Sequence, residues 1–173
     1  MTNAAGSFRA PGDAAALESE ARRFGLTVDD TRELVAIHEA AHAVVAVVQG
    51  LKLDTLNLHV RGRALGGFHV TYFIRDTAAV AVSLAAGERA SELWLELGGQ
   101  WTERRAAICR KNAAADYDQI AELDWLPGER LTTETINELA DELVHRHLHQ
   151  IVTVAHALIE RGSLTGADVE ELI

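Results

Sequence analysis

The chain has 173 residues, 48% hydrophobic and 24% charged, which is enough to bury one continuous core, and its single cysteine, Cys109, excludes a disulfide framework. Twenty-six acids against 16 bases give a formal charge of -10, which excludes a generic nucleic-acid surface because phosphate binding needs clustered Lys and Arg. No apolar run reaches the roughly 18 residues of a membrane span, the first dozen residues hold one base, Arg9, and no signal-peptide core, and no Gly-Lys-Ser/Thr phosphate loop occurs, so the expectation is a cytoplasmic protein without a motor.

Residues 1–12 read as a tail of small residues closed by Pro11-Gly12. Ala14, Leu17, Ala21 and Phe24 then recur at helical spacing and predict a short helix over Asp13 to Phe24, ended by Gly25. Residues 1–29 are thus expected to be a tail and short helix ahead of a domain over 30–173. Thr27 and Asp30 resemble a capping box that opens a long helix to about Gln49, with the apolar stripe Leu34, Ile37, Ala41, Val44, Val45 and Val48 and a stop at Gly50. The period then changes to two. Leu56, Leu58 and Val60 form one expected strand and Phe68, Val70 and Tyr72 another, around the turn-rich segment Arg61 to Gly67. Helical periodicity returns over Thr77 to Leu97, broken by Gly98-Gly99, then over Trp101 to Asn112 and Ala114 to Leu123. Thr132 or Thr133 caps a final long helix to about Arg161, with a stripe that includes Ile136, Leu139, Leu143, Ile151 and Leu158. Gly162 ends it, and Thr165 starts a last short helix. The expected fold is mainly α with one small β-hairpin or ribbon.

The residues that carry chemistry are His38-Glu39-Ala40-Ala41-His42, an HExxH pattern inside the second helix. Positions four apart share a helix face, so the two imidazoles can converge on one Zn²⁺. Glu39 reaches a water on that metal without being a ligand, which is the arrangement of a zinc peptidase with a Glu general base. Catalytic zinc takes a third protein ligand. Glu88, Glu92, Asp116, Asp118, Glu122 and the remaining histidines are all candidates, and the chemistry of the residues alone does not choose among them.

Five collinear segments resemble the peptidase domain of the FtsH family of ATP-dependent zinc proteases. Residues 38–45, His-Glu-Ala-Ala-His-Ala-Val-Val, are similar to the family's HEAGHA, and residues 61–66, Arg-Gly-Arg-Ala-Leu-Gly, to its RGRALG. Residues 86–93, Ala-Gly-Glu-Arg-Ala-Ser-Glu-Leu, are similar to AGRAAEEL, and residues 114–119, Ala-Ala-Asp-Tyr-Asp-Gln, to ASNDIERA. Residues 158–166 resemble the end of the family's C-terminal helix. The resemblance runs from about residue 30 to 173. It implies an FtsH-peptidase-like helical domain with the β element near the metal, and it places the third ligand at Asp116, with Asp118 as the neighbour reached by a two-residue slip. Ala41 stands where the family has Gly. Ser91 stands where it has an acid, a change expected to remove a partner that orients a histidine ligand.

The remaining constellations read as structural. His145, His147 and His149 form a solvated helix face, Trp94, Trp101 and Trp125 pack between helices, and Cys109, despite Arg104, Arg105, Arg110 and Lys111 nearby in sequence, is a structural thiol. The strand over Phe68 to Phe73 offers an edge on which an extended peptide could add. The function expected is a stand-alone zinc metalloendopeptidase that cleaves flexible or unfolded polypeptide and is indifferent to ATP by itself, with His38, His42 and Asp116 on the metal, Glu39 as base, and room for a separate ATPase partner. The alternative is a catalytically weak, metal-containing regulatory or protein-binding module on the same scaffold.

Overall fold

The computed structural model describes residues 11–58 and 66–173. Most of the expected tail, Val60 and residues 61–65 of the Arg61 to Gly66 segment lie outside the described residues. The element order is α1 (Pro11–Phe24), α2 (Val28–Val48), β1 (Lys52–Asn57), β2 (Gly67–Thr71), a 3₁₀ turn (Ile74–Asp76), α3 (Thr77–Leu97), α4 (Glu103–Asn112), α5 (Ala114–Glu122), α6 (Thr133–Arg161), β3 (Ser163–Thr165) and α7 (Gly166–Leu172). The fold is mainly helical with a small antiparallel sheet, as the periodicities predict. Pro11 and Gly12 are helical and belong to α1, so they do not close a tail ahead of it.

Helix α2 begins where Thr27 Oγ1 accepts from the Asp30 amide at 3.0 Å. It packs against α1, α3, α6 and β1. Its apolar side is wider than a stripe. From Ala36 to Ala46 every residue but His38 is buried, so this helix is the axis of the core and not a surface element. The alanines at 36, 40, 41, 43 and 46 are all fully buried. Such small side chains let α3 and α6 approach closely, and α3 answers with Ala81, Ala85, Ala86 and Ala90, also fully buried.

The sheet has three strands in the order β2-β1-β3. The expected hairpin gains a third strand, Ser163–Thr165, which pairs through Leu56↔Leu164. Three residues are too few to show a period, so this strand reads as a turn in sequence. The first strand lies earlier than its alternation suggested, at Lys52–Asn57. The register between β1 and β2 shifts between Leu53 and Thr55, a bulge that breaks the alternation. Asp54 sits at that bulge and accepts hydrogen bonds from Thr71 Oγ1 at 2.8 Å and His69 Nδ1 at 2.9 Å.

Helix α6 is expected to bury Leu139, yet Leu139 is 39% exposed. The buried face runs instead through Ile136, Ala140 and Val144, and the helix is kinked at His147 (φ −109°, ψ 15°) before resuming with Ile151, Val154, Ala155 and Leu158. The buried positions keep a two-turn spacing across the kink, from Val144 to Ile151, and Leu139 falls on the other side of Ala140 from the core. Trp101 is also exposed, at 43%, and lies just ahead of α4 and not between helices. Among the described residues, no helix is long and apolar enough to cross a membrane.

Candidate metal centre

Two turns of α2 and the first turn of α5 bring three donors together. His42 Nε2 and His38 Nε2 are 3.0 Å apart, and Asp116 Oδ2 lies 3.5 Å from His38 Nε2 and 3.8 Å from His42 Nε2. These are the one group of three or more metal-ligating side chains among the described residues. Asp118 points elsewhere and is exposed. The His145, His147 and His149 face holds no such group; His145 Nδ1 donates to the Asp141 carbonyl at 2.8 Å and His147 bonds Gln150.

The donor set fits a small divalent cation. His42 Nδ1 lies 2.8 Å from the Ser83 carbonyl, which can only accept, so Nδ1 carries the proton and Nε2 presents a lone pair. Ser91 Oγ donates to the Gly87 carbonyl at 2.9 Å, so toward His38 Nδ1, 3.3 Å away, it acts as the acceptor. Both Nδ1 atoms thus hold hydrogens, and both Nε2 atoms point at one place. Zinc with donors at about 2.0–2.1 Å in a tetrahedron puts neighbouring donors about 3.3–3.4 Å apart. The observed 3.0, 3.5 and 3.8 Å bracket that spacing.

The electrostatics follow from burial and from the neighbouring acid. Burial holds the His42 pKa down to about 4, against the pull of the Asp116 charge, so this imidazole is neutral near pH 7. Burial also opposes charge on His38, but the Asp116 hydrogen bond and the charges of Glu39 and Asp116 outweigh it and raise its pKa. Asp116 is lowered, because the two imidazoles overcome its own burial. Glu39 is outside the ligand group, 8% exposed, and lines the same cavity; its burial pushes the carboxyl up to about 7, with His38 opposing and Asp116 adding.

Three contacts that the sequence did not single out shape the site. Phe68 of β2 stacks on His42 with ring centroids 4.6 Å apart, which ties the sheet to the metal-facing side of α2. Gly87 on α3 lies so close that a Cβ there would sit 2.5 Å from His42 Nε2 and 2.7 Å from His38 Cε1. Gly66 is its counterpart over Glu39, where a Cβ would meet Cγ at 2.5 Å. Both glycines fall inside the segments quoted above, but only the packing shows what they clear. Cys109 lines the cavity as well; burial pushes its thiol up to about 12, with Glu92 and Glu88 adding, so the flanking bases do not activate it.

No family model matches the chain. Two curated proteins are similar to it at a distance. One is named ATP-dependent zinc metalloprotease FtsH, from Acidimicrobium ferrooxidans, 26% identical, covering 84% of this chain and 28% of that protein. The other is named ATP-dependent zinc metalloprotease FtsH 2, from Thermoanaerobacter sp. strain X514, 22% identical, covering 84% of this chain and 33% of that protein. The chain therefore spans about a third or less of the length of these relatives. Distant similarity to FtsH metalloproteases and a His38–His42–Asp116 group able to hold a metal together support a metallopeptidase-related domain.

Proposed function

We propose that the chain is a zinc-dependent metallopeptidase that hydrolyses peptide bonds in flexible or unfolded segments, with His38, His42 and Asp116 as the metal ligands and Glu39 as the general base. The observation that carries this reading is the pair of Nε2 atoms facing each other at 3.0 Å beside the Asp116 carboxylate, with Glu39 next to the donors but not among them. Bound zinc supplies positive charge that polarises a carbonyl oxygen and brings the pKa of water toward neutrality. Glu39 takes the proton from the attacking water and passes it to the departing amine. A carboxyl pushed up to about 7 is matched to both halves of that transfer. Ser83 and Ser91 hold the imidazoles in the tautomer that leaves Nε2 free.

The sheet supports the substrate side of the reading. The order β2-β1-β3 leaves the outer edge of β2 without a strand partner among the described residues, and Phe68 of that strand touches His42. An extended peptide pairing with β2 through its main chain is brought beside the metal largely independently of its side chains. A flexible segment can extend along that edge without giving up structure of its own, so it is the substrate proposed.

The test is metal analysis of the purified chain together with cleavage of an unfolded, casein-like protein. The expected result is about one zinc per chain and cleavage that stops with a chelator and returns with zinc. Full zinc occupancy with no cleavage would leave the metal-containing binding module instead.

A further inference from the structure

A cavity of about 330 Å³ opens beside His38, Glu39, His42 and Asp116, and α1 forms part of its wall. Phe24, Leu34 and Val35 give it an apolar surface, while Glu20, Arg23 and Asn112 line it with polar groups. These three are locked together. Arg23 Nη1 donates to Glu20 Oε2 at 2.6 Å, Asn112 Nδ2 donates to Glu20 Oε1 at 2.8 Å, and Arg23 Nη1 also reaches Asn112 Oδ1 at 3.3 Å. Glu20 is 8% exposed, and its carboxylate is held from the outer side by an exposed cation, Arg23, and an exposed amide, Asn112.

We propose that this cavity is the subsite for a substrate residue flanking the scissile bond, and that the Glu20–Arg23 pair is its specificity determinant, admitting an apolar side chain and rejecting either charge. The inference rests on the peptidase reading above. A volume of about 330 Å³, which includes the space at the His38, His42 and Asp116 donors, is at the small end of ligand sites and suits one side chain. An apolar side chain entering it leaves water for Phe24, Leu34 and Val35. A charged one gives up part of its hydration, and at the α1 wall, away from the Glu39 and Asp116 end of the cavity, it meets two charges that already neutralise each other, so this wall offers it no compensating charge. Arg23 and Glu20 touch no reacting atom; they set the charge of the wall.

The test reads binding apart from cleavage. Peptides that differ at one position, Leu, Lys or Glu, are bound to the zinc-loaded Glu39→Gln chain and followed by fluorescence anisotropy; cleavage of the same peptides is measured with Glu39 present. Leu is expected to be preferred by about tenfold over either charge. Arg23→Gln leaves Glu20 uncompensated and should shift the preference about tenfold toward Lys, while Glu20→Gln frees Arg23 and should shift it about tenfold toward Glu. The double variant, neutral again, should return to Leu, which separates a charge effect from an undocked α1. Unmoved preference, or a shift in the same direction in both single variants, overturns the subsite. Peptide binding with the opposite shifts but no cleavage keeps the subsite and removes the peptidase reading. Cleavage with an unmoved preference does the reverse, and absence of peptide binding removes both.

Discussion

Ser91 stands where the sequence that this chain resembles has an acid, and its hydroxyl lies 3.3 Å from His38 Nδ1, where that acid was expected to orient the ring. It receives His38 Nδ1 and hands its own proton to the Gly87 carbonyl, so the ring is held without an added negative charge. Glu39 lies outside the His38–His42–Asp116 group, and in the proposed reading it acts on water and is not a ligand. Glu39→Gln should therefore keep full zinc, measured by elemental analysis, and lose at least about a hundredfold in cleavage, the usual scale of general-base removal. Zinc loss comparable to that of His42→Ala would contradict the assignment. Asp116→Ala should lower zinc affinity by tenfold or more in a competition assay, and Asp118→Ala, which removes an exposed side chain, should leave it unchanged. The reverse result would move the ligand by two residues.

At the scale of elements, the site depends on how closely α3 can lie on α2. The small side chains facing each other allow that approach, and Gly87 is its tightest point. Gly87→Ala places a methyl where the two imidazole rings are, so it should abolish zinc binding even though alanine favours a helix by up to about 1 kcal/mol over glycine. The check is zinc content beside a circular dichroism melt: a folded, metal-poor protein is expected, and a zinc-replete one would sink the packing account. Helix α1 is fastened differently. Arg105 donates to the Phe24 carbonyl at 3.0 Å, to Gly25 at 2.7 Å and to Gln100 at 2.6 Å, while Arg104 reaches the Arg23 carbonyl at 3.1 Å. Two bases on α4 thus satisfy the open carbonyls at the end of α1, where the helix dipole also favours a cation. Arg105→Ala should cost about 1–3 kcal/mol in urea unfolding, the range for charged hydrogen bonds at a partly exposed site.

At the scale of the whole molecule, the question is what kind of polypeptide can reach the metal. The curated relatives carry ATP dependence in their names, but this chain spans a third or less of them and contains no phosphate loop. Opening a stable domain costs about 5–15 kcal/mol, and the sequence holds no phosphate loop to couple that to nucleotide. The purified chain should cut a destabilised substrate and spare the same substrate when folded, with rates that Mg-ATP does not change. Stimulation by ATP alone would show that a nucleotide site has been overlooked. Stimulation that needs a cell extract would point to a separate ATPase.

The helices were legible because their information is local. The Thr27 cap, the glycines at 50, 98, 99 and 162, and the 3.6-residue period mark their ends and faces within a few residues of error, and HExxH places two imidazoles on one helix face with no help from the fold. Asp116 was different in kind. It lies 74 residues from His42, no period connects them, and physics left it one candidate among several until the resemblance favoured it and α5 packed onto α3 beside the histidines. Three features were decided by tertiary structure alone. A bulge at Asp54 and a three-residue strand leave no alternation to read. Helix α6 is kinked at His147, and ahead of the kink it buries Ala140 and leaves Leu139 exposed. The cavity beside the candidate metal site draws on α1, α2, α3, α4 and α5 and on the β2 side of the sheet, and its character comes from side chains as far apart as Glu20 and Asn112. Local sequence determines which residues form a helix and which face it offers, because those depend on neighbours within one or two turns. Which faces then meet, and what stands between them, depends on distances through space that no spacing along the chain encodes.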